Sequence, residues 1–184
     1  MNNPANQFSL VIDSPLGRLG ILVVNERIHR LDYLDGSVRL RAASSAFEHR
    51  VVQQLENYFE HPGAGFSVPF ELVGTPFQQR VWQALTQIPV GETLTYGELA
   101  ARLGSGARAV GNACRRNPVS IIVPCHRVVA ASGIGGYSGS TSGPVLDRKR
   151  WLLNHENQLV PALKKPAAAP SNYLDQENQR NIPA

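Results

Sequence analysis

The chain has 184 residues, of which 42% are apolar and 17% are charged, a composition typical of a chain that folds around a core and unlike that of a disordered one. No segment approaches the roughly 18 uninterrupted apolar residues that a membrane span needs, and the first residues do not combine a basic stretch with an apolar one. We therefore expect a cytoplasmic protein without a membrane segment. In that reducing compartment, Cys114 and Cys125 are expected to remain thiols.

The formal net charge of +4 is unevenly distributed along the chain. Residues 1–71 contain 6 Lys and Arg against 8 Asp and Glu, whereas residues 72–160 contain 9 against 4. No carboxylate lies between Glu98 and Asp147, but five arginines do: Arg102, Arg108, Arg115, Arg116 and Arg127. Such a basic stretch suits a polyanion such as nucleic acid, although it is equally typical of an ordinary solvated face.

Three short apolar-rich runs open the chain, at residues 8–13, 19–24 and 28–34, with turn residues between them. This pattern predicts an antiparallel meander. Helical spacing then predicts a helix that ends at His61-Pro62-Gly63 and whose apolar face is formed by Phe47, Val51, Leu55, Tyr58 and Phe59. Residues 66–72 are expected to add one more strand, and a first domain is expected to span residues 1–73.

Two capping boxes predict helix starts in the second half. Thr75-Pro76-Phe77-Gln78 and Thr95-Tyr96-Gly97-Glu98 each place a threonine three residues before a Gln or Glu. The second of these helices closes at Gly104, and residues 107–116 form the next helix until Asn117-Pro118 stops it. This is the pattern of a helix-turn-helix. The helix over 107–116 is built mostly of small residues, so it can approach a partner's backbone closely.

The end of the chain divides into a helix and a tail. Residues 144–155 predict a final helix, whereas residues 161–184 are rich in proline, alanine and polar residues and are expected to be disordered. The second domain is accordingly expected to span residues 74–160. The fold class expected is α+β, with a small N-terminal α/β domain followed by a helical, winged helix-turn-helix domain.

The residues most suggestive of chemistry are Pro124-Cys125-His126-Arg127. A neutral thiol is a poor nucleophile, and at its ordinary pKa of about 8.5 only a few per cent is thiolate at pH 7. His126 offers a base and Arg127 a positive charge beside the sulfur. The alternative is a buried structural cysteine behind an apolar run, which is the commoner fate of an arbitrary cysteine.

Neither a metal nor a nucleotide cofactor is expected. Cys114, Cys125, His126 and His155 contain no Cys-x-x-Cys pair, and adjacent Cys125 and His126 would point apart in an extended chain. Residues 104–109 match a Gly-rich dinucleotide fingerprint only formally, because they follow a helix instead of a strand.

An ordered set of motifs resembles the O6-alkylguanine-DNA alkyltransferases. The motifs cover residues 77–156 and are most specific around the cysteine: Phe77-Gln78-Gln79-Arg80-Val81-Trp82, Thr95-Tyr96-Gly97-Glu98-Leu99-Ala100, Arg108-Ala109-Val110-Gly111, Asn117-Pro118, Ile122-Val123-Pro124-Cys125-His126-Arg127-Val128-Val129, Gly136-Tyr137-Ser138-Gly139 and Trp151-Leu152-Leu153-Asn154-His155-Glu156. The N-terminal meander and helix agree more weakly with that family's ribonuclease-H-like first domain.

The resemblance implies an activity: irreversible, stoichiometric transfer of an alkyl group from O6-alkylguanine, and from O4-alkylthymine, in double-stranded DNA to Cys125. It further implies a monomer without an obligate protein partner. The catalytic set would comprise Cys125 as acceptor thiolate, His126 as its base through a water, Glu156 orienting His126, Tyr96 donating to N3 of the guanine, and Asn117 bracing the preceding turn.

The same resemblance implies the substrate and DNA contacts. The pocket would be formed by Val128, Tyr137, Ser138 and Gly139, with carbonyls of Cys125 and Val128 receiving the guanine amine. Contacts to the minor groove would come from Thr95, Tyr96, Ala107, Arg108, Gly111 and Arg115. Arg108 would fill the gap left by the extruded nucleotide. Glu156 near a helix C-terminus is electrostatically unfavourable, which indicates a specific partner.

Two rival functions remain open. A DNA-binding module that recognises alkylated guanine without repairing it would lack the acceptor cysteine, whereas Cys125 is present. A Cys-His hydrolase would regenerate its thiol and turn over, whereas thioether formation would consume the protein. The mass of the intact protein after incubation with alkylated duplex discriminates among the three.

Overall fold

The computed structural model describes residues 7–157. It opens with an antiparallel sheet of order β1-β2-β3, formed by β1 (Leu10–Ile12), β2 (Arg18–Val24) and β3 (Arg27–Leu34). The side chains that the sheet buries completely are Leu10, Leu19, Ile21, Ile28 and Leu31. Leu19 and Ile21 alternate along β2 as a half-buried sheet requires, and the pairing of β2 with β3 shifts register between Leu22 and Val23. The predicted meander is therefore confirmed.

Helix α1 (Ala46–Glu60) follows the sheet and ends at His61. A capping box starts it, with Ser45 accepting from the backbone N–H of Glu48 while the Glu48 carboxylate reaches back to the cap. The sequence predicted this helix, but its capping box at Ser45 was not predicted. The face that it buries is formed by Phe47, Val51, Leu55 and Tyr58.

The strand expected over residues 66–72 is wrong. Only a single bridge forms there, between Ile28 and Phe70, with Ile28 N–H donating to the Pro69 carbonyl at 3.0 Å and Glu71 N–H donating to the Ile28 carbonyl at 2.9 Å. Pro69 has no N–H to donate, so a continuous ladder cannot pass through it.

Five further helices and strands precede the last helix: α2 (Pro76–Thr86), β4 (Leu94–Thr95), α3 (Tyr96–Arg102), α4 (Ala107–Arg115) and β5 (Val128–Val129). The last helix is α5 (Gly143–Asn157). Both predicted capping boxes are present, at Thr75 and Thr95. Strand β4 pairs with β5 in parallel. Helices α3 and α4 pack together as the predicted helix-turn-helix, and the α+β fold class is confirmed.

The two halves share one hydrophobic core. Backbone hydrogen bonding also connects them, because Leu31 N–H in β3 donates to the Pro118 carbonyl at 2.9 Å, next to a bridge between Leu31 and Val119. Within the second half, the Trp82 indole donates to the Ala113 carbonyl at 2.9 Å and attaches α2 to α4. The segment that leads to Cys125 is thus held between the sheet and the helices.

No helix within residues 7–157 has both the length and the apolar character needed to cross a membrane. The tail predicted over residues 161–184 lies outside the described residues.

Candidate active site

Cys125 begins a short 3-10 turn, Cys125–Arg127, and is only 4% exposed. Burial raises the pKa of its thiol, and hydrogen bonds from Asn117 and Tyr137, together with the charge of Lys149, act in the opposite direction. The resting side chain is therefore a neutral thiol surrounded by groups that favour the thiolate. It needs a base to become a nucleophile.

A braced turn places Cys125. The Asn117 amide donates to the Val123 carbonyl at 2.7 Å, and its oxygen accepts from the Val119 N–H at 3.1 Å. Between these contacts, Ile121 adopts a φ of +74°, a left-handed conformation that is costly for a β-branched residue. The surrounding bonds hold this strained turn directly before the cysteine.

His126 is fully buried, and its ring Nε2 lies 2.8 Å from Oε1 of Glu156. An ionised carboxylate can only accept, so Nε2 carries the proton and Nδ1 is left with a free lone pair. Among the described residues, His126 Nδ1 is a buried side-chain atom without a hydrogen-bond partner. Burial lowers the pKa of His126 although Glu156 opposes that shift, which leaves a neutral imidazole able to accept a proton.

Glu156 is the centre of a buried polar cluster. Its carboxylate accepts from His126, twice from Arg127 at 2.9 Å, and from the Tyr58 hydroxyl at 2.8 Å. Burial opposes ionisation, but His126 and Arg127 hold the pKa of the Glu156 carboxyl far below its usual range. The specific partner that sequence analysis expected for a glutamate near a helix C-terminus is therefore present.

Lys149 is a buried ammonium that sequence analysis did not identify. It is 0% exposed and donates to the carbonyls of Val128 at 2.6 Å and Gly136 at 2.9 Å, with its charge 5.6 Å from the centre of the Tyr96 ring. Burial lowers its pKa to about 8. A signal was available, because Lys149 lies on the helix face that Leu146 and Leu152 bury, where a lysine is unusual.

A cavity of about 230 Å³ opens above the thiol. Of the residues that sequence analysis selected, seven line it: Tyr96, Gly111, Arg115, Cys125, Tyr137, Ser138 and Gly139. The cavity is also lined by five that it did not select: Asn112, Cys114, Gly136, Ser140 and Thr141. Its far wall is a tight hairpin in which Tyr137 and Ser140 exchange backbone hydrogen bonds at 2.8 Å.

The remaining selected residues lie around the cavity. Asn117, His126 and Glu156 lie behind the thiol, and the Val128 carbonyl already accepts from Lys149. Thr95 caps α3, while Ala107 and Arg108 are exposed at the start of α4. The structure therefore gathers these residues into a buried reaction centre and an exposed helix face.

Two tyrosines of the N-terminal half also reach this centre, and sequence analysis missed both. Tyr33 in β3 lies with its hydroxyl 3.2 Å from that of Tyr137, and Tyr58 in α1 donates to Glu156. Tyr58 was predicted only as a core residue, because a tyrosine on an apolar helix face gives no indication of a distant carboxylate.

The exposed face of α4 is basic. Arg115 and Arg116 line a second cavity with Asn112, and Arg108 is exposed at the second position of the helix. The Arg115 side chain passes over the hairpin rim, where a Cβ at Gly139 would meet its Nε at 2.5 Å. The basic helix therefore borders the mouth of the thiol cavity directly.

The fold and the site together define a class of protein. Its members combine a helix-turn-helix, a motif typical of nucleic-acid binding, with a buried cysteine and a His–Glu pair that lie beneath that motif. The family model for the 6-O-methylguanine DNA methyltransferase DNA binding domain matches residues 76–158, and the model for the ribonuclease-like domain of the same family matches residues 9–72. The chain belongs to the 6-O-methylguanine DNA methyltransferase family.

Named relatives agree with this assignment. Methylated-DNA--protein-cysteine methyltransferase of Mycobacterium bovis is 44% identical over 159 residues, covering 82% of this chain and 93% of the relative. The constitutive methylated-DNA--protein-cysteine methyltransferase of Bacillus subtilis is 41% identical over 159 residues, which cover 78% of this chain and 92% of the relative. The resemblance seen in the sequence is therefore confirmed.

Solved structures agree as well. The crystal structure of Mycobacterium tuberculosis O6-methylguanine methyltransferase matches with a TM-score of 0.69 at 41% identity, covering 80% of this chain and 91% of that one. The structure of M. tuberculosis OGT in complex with DNA matches with a TM-score of 0.67 at 44% identity, and the match covers 80% of this chain and 91% of that one.

Proposed function

We propose that this protein repairs alkylated DNA by moving the alkyl group from O6 of guanine to its own Cys125. The observation that carries the proposal is the free lone pair of His126 Nδ1, buried in the turn that holds the thiol while Nε2 is occupied by Glu156. A neutral imidazole with a free nitrogen can take the proton of a cysteine that acts as the acceptor. O4-alkylthymine is proposed as a second substrate.

The reaction is one displacement. The thiol proton passes to His126 Nδ1 through a water, the sulfur forms a bond to the alkyl carbon, and the bond from that carbon to O6 breaks with its electron pair going to the guanine. The Tyr96 hydroxyl supplies a proton to N3 of the departing guanine and recovers one from His126 through solvent. Burial raises the pKa of Tyr96 to about 12, so it is protonated and able to donate.

The charges of the site favour transfer of the proton from the Cys125 thiol to His126. Lys149 and the hydrogen bonds of Asn117 and Tyr137 all stabilise the thiolate as it forms. Glu156, held ionised by its contacts with Arg127 and His126, stabilises the imidazolium produced at the same time. The thioether product has no good leaving group, so the protein reacts once.

For the DNA, we propose that α4 enters the minor groove, with Thr95, Tyr96, Ala107, Gly111 and Arg115 at the contact and Arg108 in the space of the extruded nucleotide. The exposed, basic α4 face beside the cavity supports this geometry. Val128, Tyr137, Ser138 and Gly139 would surround the base, within a second domain over residues 74–160 that follows a first over residues 1–73. A thiol acceptor requires reducing surroundings, so we place the activity in the cytoplasm.

The test is the mass of the intact protein after incubation with a duplex that contains O6-methylguanine. One methyl group per molecule on Cys125 is expected, with no turnover beyond one equivalent. Cys125→Ala should abolish transfer and keep DNA binding, whereas the matched control Cys114→Ala should keep both. Multiple turnover would favour a Cys-His hydrolase, and binding without transfer by the unsubstituted protein would favour a recognition module.

A further inference from the structure

Tyr58 connects the N-terminal half of the protein to the acid–base pair. It lies in the last turn of α1, is 1% exposed, and donates its hydroxyl to Oε1 of Glu156 at 2.8 Å across 98 positions of sequence. Its backbone carbonyl accepts from His155 Nε2 at 2.9 Å. Two consecutive residues at the end of α5 are therefore attached to one tyrosine of α1.

The oxygen that Tyr58 contacts is the one that matters for His126. Oε1 of Glu156 accepts from His126 Nε2 at 2.8 Å and from Arg127 at 2.9 Å, whereas Oε2 accepts from Arg127. A donor on Oε1 withdraws negative charge from the atom that holds the imidazole proton. The Tyr58 hydroxyl thus competes with His126 for the same charge.

Packing alone does not account for a tyrosine here. Its ring contacts Phe59, Phe66 and His155 with centroid distances of 5.5, 5.3 and 5.5 Å, contacts that a phenylalanine would also make. A buried hydroxyl without a partner is costly, so its presence is explained by the bond it makes to Glu156.

We propose that Tyr58 is a positioning residue for alkyl transfer, which acts through Glu156 to set how strongly His126 holds the proton it takes from Cys125. The proposal rests on the alkyl transfer proposed above. It makes the N-terminal domain a contributor to the reaction centre and not only a support for it.

Several charged and titratable groups face this pair. Arg127 lies in the 3-10 turn, Lys149 in α5 acts on His126, and Tyr33 in β3 acts on Tyr58. Tyr58→Phe leaves all of them in place and removes one donor. The Glu156 carboxylate then attracts the His126 imidazolium more strongly, so His126 loses its proton only at higher pH.

The experiment is single-turnover methyl transfer at saturating duplex, measured as a function of pH. In Tyr58→Phe the acidic limb of the profile should move up by about one pH unit, so transfer on that limb falls about tenfold while the alkaline plateau is kept. The matched control is Phe66→Leu, which disturbs the same ring packing, lowers the melting temperature and leaves the profile in place.

Replacement of Tyr58 by 3-fluorotyrosine provides a second test without loss of the hydroxyl. Fluorination makes the hydroxyl a stronger donor, so the acidic limb should move to lower pH, opposite to Tyr58→Phe. In a Glu156→Gln background, Tyr58→Phe should produce no further shift, because the two residues act in series.

The outcomes separate the two proposals. If the unsubstituted protein gains no methyl group on Cys125, the proposed function fails. If it is methylated normally but the profiles of Tyr58→Phe and the fluorotyrosine protein superimpose on its own, the role of Tyr58 is refuted and alkyl transfer stands.

Discussion

Glu156 determines which nitrogen of His126 carries a proton. A carboxylate accepts only, so Nε2 must donate and Nδ1 remains a base. The same carboxylate also neutralises Arg127, and breaking a buried pair of this kind costs about 3–5 kcal/mol. In the proposed function, one residue therefore serves both the reaction and the stability of the site.

Glu156→Gln is expected to slow single-turnover transfer by at least about tenfold, because His126 loses the charge that stabilises its imidazolium. Burial already lowers the pKa of His126 and Glu156 raises it, so the substitution lowers that pKa further and the acidic limb moves to lower pH. The measurement is the pH–rate profile, with exposed Glu92→Gln as the control. Identical profiles from about pH 5 to about pH 9 would remove the pair from the mechanism.

Helix α4 is built largely of small side chains. Ala107, Ala109, Gly111 and Ala113 keep it thin, and a Cβ at Gly111 would lie 3.9 Å from the Tyr96 ring. Its exposed basic residues, Arg108 and Arg115, lie on a face without carboxylates. An element of this kind can lie deep in a groove and leave one long side chain, Arg108, to replace a base.

Arg108→Ala is expected to reduce transfer from saturated duplex by about tenfold or more, because extrusion of a nucleotide costs a few kcal/mol. Reaction with the free alkylated base should be unchanged, since nothing has to be extruded. The control is Arg102→Ala on α3, which should weaken duplex binding and reduce the salt slope by about one without changing the saturated rate. A normal saturated rate in Arg108→Ala would leave Arg108 as a phosphate contact.

At the scale of the whole molecule, the reaction centre lies where the two halves meet. Residues from both contribute to one core, and Tyr33 and Tyr58 reach polar groups of the second half. The ammonium of Lys149 is buried in that region, with carbonyl oxygens as its hydrogen-bond partners. Its charge makes the stability of the entire fold dependent on pH.

The folded pKa of Lys149 is about 8, below its ordinary 10.5. Between these values the unfolded chain binds the proton and the folded one does not, so this lysine increases stability as pH rises through that window. The free energy of unfolding of the unsubstituted protein, minus that of Lys149→Met, should therefore increase from about pH 8 to about pH 10.5. Urea unfolding at several pH values measures it, and a constant difference would contradict the expectation.

Local sequence determined much of this protein. The capping boxes at Thr75 and Thr95 place two helix starts because each satisfies its backbone N–H groups within four residues. The motif around Cys125 likewise predicted an acceptor and its base, which the proposed function adopts, and the position of Glu156 predicted that it has a partner. These inferences depend on contacts between near neighbours in the chain or on family motifs.

Tertiary structure alone decided the rest. Nothing local distinguishes Tyr58 from an ordinary core tyrosine, because its partner lies 98 positions away. Lys149 is buried beneath the cavity only because α5 packs against the 3-10 turn of Cys125, and residues 66–72 fail to form a strand because Pro69 interrupts the ladder. Periodicity predicts which face of an element is buried, but the polar group it meets there depends on how distant elements pack.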